Sequence, residues 1–183
     1  MHMQVRKTAI SGLFELIPRV FEDERGYFFE SYNKPAFASL GLPTEFVQDN
    51  QSFSTKGVLR GLHFQSEPFA QGKLVRVITG QVLDVAVDCR PESPTFGHYE
   101  TFLLDAKLAN MAWIPEGFAH GFVALEDSIF SYKCTNVYNK QAEGGIRWDD
   151  PDLNIDWGIS NPNVSEKDLI LPSFRVSFPH VVM

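Results

Sequence analysis

The sequence is short of several features that would place it in a specialised class of protein. It has two cysteines, Cys89 and Cys134, too few for a disulfide framework. No stretch approaches the roughly 18 uninterrupted apolar residues of a membrane-spanning helix. The first residues, MHMQVRKTAI, lack the basic segment and long apolar run of a signal peptide. We therefore predict a protein of the reduced cytosol, not associated with a membrane, whose cysteines are small buried hydrophobic residues.

Basic residues are in the minority as well. Lys and Arg number 16 against 23 Asp and Glu, which gives a formal net charge of −7. This balance argues against nonspecific binding to nucleic acid or to anionic membranes, although it permits a local basic pocket for one anion. The chain also has no internal repeat and no linker-like stretch. Its length and its 44% hydrophobic residues, with 16 Phe, predict one globular domain over residues 1–183.

Helix signals are scarce, whereas strand signals fill most of the chain. In KLVRVITGQVLDVAVDCR, residues 73–90, side chains alternate as in a strand, and residues 79–81 have the composition of a turn between two strands. Further strand-like pieces follow at short spacing: HYETFLLD, MAWIP, GFVALE and SIFSYKCTNVY. This pattern predicts an all-β sandwich or barrel. Only two short helices are expected, in PAFASLG near Pro35 and in SEKDLI, where Ser165 is the cap.

Two stretches place polar side chains where apolar ones would be expected. In GVLRGLHFQ, Arg60 and His63 interrupt a strand-like run, and both are costly to bury unless another group pairs with them or the protein uses them. In WIPEGFAHGF, a Pro-x-Gly turn precedes His120 and places it near the start of a strand. We expect His120 to face His63 across a barrel.

The two stretches resemble the paired signature of the cupin superfamily, whose members are double-stranded β-helix barrels. The resemblance predicts a cupin-type jelly-roll β-barrel. Metal-binding cupins usually carry His-x-His followed by Glu in the first segment, but here Gln65 holds the second ligand position and Lys73 takes the nearby acidic one. A neutral amide is a poor ligand for transition metals, and a cation repels them. We therefore predict that no metal is bound.

A longer series of motifs resembles the dTDP-4-dehydrorhamnose 3,5-epimerase family. The matching segments run in order from about Phe14 to Asp168, and they are DERG, RGYFFE, QDN, GVLRGLHFQ, FAQGKLVRV, IPEGFAHGF, YKCTNVY and SEKD. Any one of them is a weak signal, but together they are specific. One departure is Gln51 after QDN, where many members have His.

This resemblance implies a reaction and four catalytic residues. The family inverts C3 and C5 of dTDP-4-keto-6-deoxy-D-glucose without a cofactor, giving dTDP-4-keto-L-rhamnose for deoxysugar and cell-surface polysaccharide synthesis. Both carbons flank the C4 ketone, so enolate resonance acidifies their protons. By resemblance, His63 is the base and Asp168 orients it, Tyr132 is the acid on the opposite face, and Lys73 holds the C4 oxyanion. Because His63 and Asp168 lie far apart in sequence, their contact is a prediction that a structure can test.

The resemblance also implies a nucleotide-sugar site and a homodimer. The implied binding residues are Arg25, Phe28, Glu30, Gln48, Asn50, Arg60, His120, Tyr138 and Glu143. Arg25 and Arg60 suit the diphosphate, with His120 as a third donor. Tyr138 would stack on thymine beside an apolar wall from Phe28, while polar side chains would bond sugar hydroxyls or the thymine edge. Family members exchange an N-terminal strand, so DERG would reach the partner's site.

Three alternatives remain open from the sequence. A related enzyme would invert only C3 or only C5 of such a sugar, because specificity depends on how far the enolate lies from Tyr132. A non-enzymatic sugar-binding cupin would need the pocket but not the acid–base residues. A metal-dependent cupin would contain stoichiometric iron or zinc.

Overall fold

The computed structural model describes residues 3–179, which form mainly β-strands. The strands are β1 (Met3–Lys7), β2 (Phe14–Pro18), β3 (Phe21–Asp23), β4 (Gly26–Phe28), β5 (Gln48–Ser54), β6 (Val58–Gln65), β7 (Lys73–Thr79), β8 (Gln81–Asp88), β9 (Tyr99–Asp105), β10 (Met111–Ile114), β11 (Phe118–Ala124), β12 (Ser128–Cys134), β13 (Glu143–Gly145) and β14 (Asn163–Val164). The helices are α1 (Lys34–Ser39), α2 (Glu166–Leu169) and α3 (Phe174–Ser177). Within the described range, no helix has the length and apolar character needed to cross a membrane.

Two large sheets make up the barrel. The first has the order β1-β2-β10-β7-β12-β5, and the second has the order β13-β6-β11-β8-β9, with β14 added in parallel to β6. The other strand pairs are antiparallel, and β3 and β4 form a separate hairpin. Because consecutive strands are often placed in different sheets, the arrangement is a jelly roll. It confirms the predicted all-β barrel with few short helices.

Side chains from the inner faces of both sheets meet in the main core. This core includes Val75 and Val77 from β7 and Val82 and Ala86 from β8, all buried. Two further clusters cover the outer faces: α1 packs Phe37 against the first sheet, and the C-terminal segment packs against the second. Sheets that are apolar on both faces need such covers to exclude water. These clusters cover the outer faces of both sheets. A buried site would therefore lie between the sheets, inside the barrel.

Several local predictions are confirmed. Residue Gly80 separates β7 from β8, as the turn composition indicated. Helix α2 begins after Ser165, whose hydroxyl accepts from the backbone N–H of Asp168 at 3.2 Å. Both cysteines are buried and free, as expected. Helix α3 was not predicted, because four residues are too few to show a helical hydrophobic period.

A β-bulge places both unusual polar residues of β6 on one face. His63 pairs with His120 and Arg60 pairs with Phe122, so three steps along β6 match two steps along β11. In a regular strand, residues three apart point to opposite faces, but one extra residue restores the same face. At the bulge, a Cβ on Gly61 would lie 2.6 Å from the Cα of Gly121, so only glycine permits this close approach.

The same register corrects one expectation about the two histidines. His120 does not face His63 across the barrel; the two are direct cross-strand neighbours in one sheet. The motif pattern did not reveal this, because pairing between distant segments is decided by strand order rather than by local sequence.

Candidate active site

The inner faces of both sheets and the start of α2 enclose a cavity of about 590 Å³. This size lies within the usual range for small-molecule sites. The residues that line it are Asn50, Gln51, Ser52, Val58, Leu59, Arg60, His63, Lys73, His120, Gly121, Phe122, Phe130, Tyr132, Asn163, Ser165, Lys167 and Asp168. The cavity therefore brings together all four residues predicted to be catalytic, together with three of those predicted to bind substrate.

His63 and Asp168 are in direct contact, as predicted. His63 Nε2 lies 2.7 Å from Asp168 Oδ1, although 105 residues separate them. Asp168 Oδ2 also accepts from the backbone N–H of Gly61 at 3.3 Å. The Asp168 side chain is 5% exposed and that of His63 is 33% exposed. The carboxylate is thus fixed inside the protein, while the imidazole reaches the cavity.

The environment of Asp168 favours its charged form. Burial raises its pKa, but the hydrogen bond and charge of His63, the backbone N–H of Gly61 and the side-chain hydroxyl of Ser165 outweigh burial and leave the pKa below its usual value. A charged carboxylate accepts a hydrogen bond from a ring nitrogen that carries hydrogen. It therefore keeps the hydrogen of a neutral His63 on Nε2 and leaves Nδ1 as the basic atom.

Lys73 and Tyr132 line the same cavity from neighbouring strands of the first sheet. Burial lowers the pKa of Lys73, whereas Cys134, Asp84 and Glu143 raise it. Burial, followed by Cys134, raises the pKa of Tyr132. A phenol with a raised pKa stays protonated at neutral pH, so Tyr132 can donate a proton. The sequence around Lys73 gave no reason to expect an inward side chain, and only the structure places it there.

A second histidine–carboxylate pair lies beside the first. His120 Nε2 is 2.7 Å from Asp84 Oδ2, and both side chains are buried. Burial lowers the pKa of His120; Asp84 opposes this effect, and the neighbouring charges of Lys73 and His63 add to it. Sequence reasoning missed Asp84. The available signal was a carboxylate on the face of β8 that otherwise carries Val82 and Ala86.

Gln48, Tyr138 and Glu143, which were predicted to hold the nucleotide, do not line the cavity, but hydrogen bonds connect them to Asn50 and Lys167, which do. Glu143 accepts from the Tyr138 hydroxyl at 2.9 Å and from Lys167 Nζ at 2.6 Å. Gln48 Oε1 accepts from the backbone N–H of Tyr138 at 2.8 Å, and Gln48 Nε2 donates to Asn50 Oδ1 at 3.1 Å. Lys167 was not predicted, although it lies within the SEKD motif.

Arg60 is anchored at the edge of the cavity. Its Nε donates to Ser54 Oγ at 3.0 Å, and one terminal nitrogen donates to the Phe53 carbonyl at 3.1 Å. A guanidinium has five N–H donors, so these two bonds leave others for a ligand. A fixed arginine with spare donors is suited to phosphate oxygens.

Three predicted binding residues lie elsewhere in this chain. Arg25 and Phe28 are on the β3–β4 hairpin, where Arg25 pairs with Asp23 and Phe28 is 65% exposed. Glu30 follows the hairpin and accepts from Asn33 at 3.0 Å. The cavity lining includes none of these three. They would serve a site only by reaching another copy of the chain.

The position that a metal-binding cupin would give to a second ligand is occupied by a structural amide. Gln65 Nε2 donates to the carbonyls of Phe69 and Val137, and its Oε1 accepts from the backbone N–H of Asn139 at 2.6 Å. Within residues 3–179, no group of three or more His, Cys, Asp or Glu side chains is arranged to hold a metal ion. Gln65 thus holds loops together.

Comparison with known proteins gives a consistent assignment. A family model described as dTDP-4-dehydrorhamnose 3,5-epimerase matches residues 7–175. The protein of that name from Shigella flexneri is 54% identical over 169 residues, covering 91% of this chain and 93% of the relative. The crystal structure of the Elizabethkingia anophelis enzyme matches with a TM-score of 0.92 at 49% identity, covering 96% of this chain and 98% of that one.

Two further structures bear on the ligand and on specificity. The Legionella pneumophila 3,5-epimerase, solved in complex with dTDP-4-keto-L-rhamnose, matches with a TM-score of 0.90 at 45% identity, covering 94% of this chain and 93% of that one. A 3'-monoepimerase from Streptomyces bikiniensis, in complex with dTDP-quinovose, has a TM-score of 0.86 at 31% identity, with 92% and 86% covered. The chain is therefore more similar to these 3,5-epimerases than to this mono-epimerase.

Proposed function

Because the chain belongs to the dTDP-4-dehydrorhamnose 3,5-epimerase family, we propose that its cavity takes dTDP-4-keto-6-deoxy-D-glucose and inverts C3 and C5 to give dTDP-4-keto-L-rhamnose. The observation that supports this assignment most directly is the His63–Asp168 pair at 2.7 Å, in a cavity that Lys73 and Tyr132 also line. These residues supply a base, a cation and an acid, which are the groups that inversion beside a ketone requires.

Each inversion is proposed to begin with proton removal by His63. Nδ1 takes the proton from C3 or C5, and the electron pair of the broken C–H bond moves through the ring carbon to the C4 oxygen. Asp168 stabilises the imidazolium that forms, as a buried carboxylate does in other histidine pairs. The Lys73 ammonium holds the enolate oxygen, where charge develops.

The second half of each inversion returns a proton from the opposite face. Tyr132 donates its hydroxyl proton to the same carbon, the electron pair returns from oxygen, and the ketone re-forms. His63 then releases its proton to solvent, and Tyr132 regains one. The carbon keeps its oxidation level, so the chemistry itself calls for no redox cofactor. Our prediction that no metal takes part is tested by metal analysis of the purified protein, where stoichiometric iron or zinc would contradict it.

We further propose that the working unit is a homodimer in which each β3–β4 hairpin completes the partner's site. The hairpin carries exposed Tyr27 and Phe28 next to Arg25. Exposed aromatic rings and a guanidinium that lie outside the lining of their own cavity are suited to thymine and diphosphate in a neighbouring one. A cytosolic location is also proposed, since free buried thiols are typical of reducing compartments.

The dimer proposal has a complementation test. Arg25→Ala and His63→Ala should each be nearly inactive alone. After mixing and subunit exchange, half of the dimers are mixed and each mixed dimer contains one intact site, so activity should rise to about a quarter of the wild-type value. A mixture that stays inactive while subunits demonstrably exchange would place Arg25 in its own chain's site or outside any site.

The reaction is tested by proton NMR of dTDP-4-keto-6-deoxy-D-glucose with the enzyme in deuterium oxide. Deuterium should enter at both C3 and C5, and a coupled reductase should trap the L-lyxo product. Deuterium at one carbon only would keep the mechanism and indicate a mono-epimerase. Absence of deuterium at both carbons would exclude the proposed function.

A further inference from the structure

Two buried aspartates of β8 differ sharply in how their charge is balanced. Asp84 and Asp88 are four residues apart on one strand, and neither is exposed to solvent. Asp88 is bound by Arg90 through two nitrogens and by the hydroxyls of Ser93 and Thr95. Such a set of donors and a paired cation explain why a carboxylate is tolerated there.

Asp84 has far less support. Its Oδ2 is 2.7 Å from His120 Nε2, but its Oδ1 has no hydrogen-bond partner among the described residues. A buried carboxylate oxygen without a hydrogen bond is unfavourable for stability. A functional role would explain why the protein has one at this position. The groups around Asp84 belong to the cavity, since both His120 and Lys73 line it.

We propose that Asp84 is a positioning residue that holds His120 with its hydrogen on Nε2. Asp84 does not itself line the cavity. It would act on the substrate only through His120. This inference rests on the proposed function for its catalytic consequence, although the state of His120 is a property of the protein alone.

A hydrogen on Nε2 changes the kind of ligand group that His120 can bind. A neutral imidazole whose Nε2 donates to Asp84 has a lone pair on Nδ1, which is the nitrogen left for the cavity. Such a nitrogen accepts hydrogen bonds and cannot donate them. A diphosphate at neutral pH offers acceptor oxygens, whereas a sugar hydroxyl offers a hydrogen. His120 is therefore assigned to a hydroxyl of the keto sugar, in place of the phosphate contact expected from the sequence.

The consequence for Lys73 concerns its charge. Burial lowers the pKa of its ammonium, and Cys134 of β12, Asp84 of β8 and Glu143 of β13 counter this effect. Of these three, the Cys134 thiol has its own pKa raised by burial, and Glu143 is already paired with Lys167 and Tyr138. His120 of β11 is also close and is held neutral by burial. Asp84 is thus one of three neighbouring groups that favour the charged form of the lysine.

The first test needs no substrate. In protein labelled with 15N-histidine, long-range 15N–1H spectra at pH 7 report which ring nitrogen carries hydrogen, and His120→Gln identifies the His120 signals. We expect a neutral His120 with hydrogen on Nε2. Hydrogen on Nδ1, or on both nitrogens, would overturn the inference. The state of the ring is read from the unaltered protein, and His120→Gln serves only to assign its signals.

A binding measurement separates the two roles of His120. Calorimetry with dTDP, which has the diphosphate but no hexose, should give similar affinities for wild type and His120→Asn. Arg60→Ala is the comparison and should bind dTDP about tenfold or more weakly, because it removes a charged phosphate contact. An equal loss of dTDP affinity in both variants would show that His120 contacts the phosphates and would contradict its assignment to a sugar hydroxyl.

The second test follows deuterium exchange in Asp84→Asn. As at Asp168, the amide can donate to Nε2, which moves the imidazole hydrogen of His120 to Nδ1. We expect kcat to fall about 10- to 100-fold with a smaller change in KM, and the 15N–1H spectra of the variant to show hydrogen on Nδ1. Asp88→Asn is the matched control, with a lower melting temperature, wild-type kcat and hydrogen on Nε2. A folded Asp84→Asn enzyme with wild-type kcat and hydrogen still on Nε2 would contradict the inference. Absence of exchange in the wild type would instead contradict the proposed function.

Discussion

The two histidines at the centre of the cavity make the same bond in different surroundings. Each places Nε2 at 2.7 Å from a buried aspartate, and the two are cross-strand partners on β6 and β11. The His63 side chain is 33% exposed, and Asp168 also accepts from a backbone N–H. His120 is 8% exposed, and the second oxygen of Asp84 is unpaired within the described residues. We propose that the first pair exchanges protons with a ligand and that the second fixes a neutral ring.

The largest expected effect comes from removing the more exposed of the two histidines. His63→Ala should abolish deuterium exchange at C3 and C5, a loss of about 10⁴-fold, because no other base replaces Nδ1. The measurement is proton NMR in deuterium oxide. His98→Ala is the control, since this histidine is exposed and outside the cavity lining, and its exchange rate should equal that of wild type. Exchange in His63→Ala at the wild-type rate would refute the assignment of the base.

Changing the aspartate of the same pair should have a smaller but still large effect. Asp168→Asn replaces an acceptor by an amide that can donate to Nε2, which moves the imidazole hydrogen to Nδ1 and blocks the base. We expect kcat to fall about 10³-fold while KM changes little, measured with a coupled reductase. If Asp168→Asn and Asp84→Asn had equal effects on kcat, the proposed difference between the two pairs would be lost.

The acid can be separated from the base in a third variant. Tyr132→Phe should retain exchange of deuterium but lose inversion at one or both carbons, with about 10²-fold slower formation of the L-lyxo product. The reason is that His63 can remove a proton and return it on the same face of the sugar ring without the Tyr132 phenol. Tyr99→Phe is a matched control, because Tyr99 packs in the cluster that includes Trp157, outside the cavity lining. Full inversion in Tyr132→Phe would place the acid elsewhere.

The smallest expected effect concerns stability and the contrast between Asp88 and Asp84. Burial raises the pKa of Asp88, but bonds from Arg90, Ser93 and Thr95 outweigh it and lower the pKa from 3.8 to about 2. Because the folded pKa is the lower one, the contribution is complete above pH 3.8 and is lost as pH falls towards 2. It amounts to about 2 kcal/mol.

Urea unfolding of wild type and Asp88→Asn at a series of pH values measures this contribution. The difference in unfolding free energy between the two proteins should shrink by about 2 kcal/mol from pH 7 to pH 2. A difference that stays constant over this range would show that the Asp88 network does not depend on the charge of the carboxylate.

Much of the fold was accessible from the sequence because its signals are local. Alternation along β7 and β8, the glycine turn between them and the Ser165 cap each depend on a few adjacent residues. The contact between His63 and Asp168 was predicted only through the motif series, since nothing local connects residues 105 positions apart. The position of His120 beside His63 was predicted wrongly, because strand order is not a local property.

The sequence by itself determined the class of the protein: an all-β chain whose ordered motifs resemble those of one epimerase family. Only the tertiary structure decided which side chains share the cavity. The bulge at Gly61 turns Arg60 and His63 to one face, the pairing of β6 with β11 brings the two histidines together, and packing buries Asp84 in contact with His120. Burial and long-range pairing are properties of the whole packed chain. For that reason, only the contact with His120 distinguishes Asp84 from the other residues of its strand.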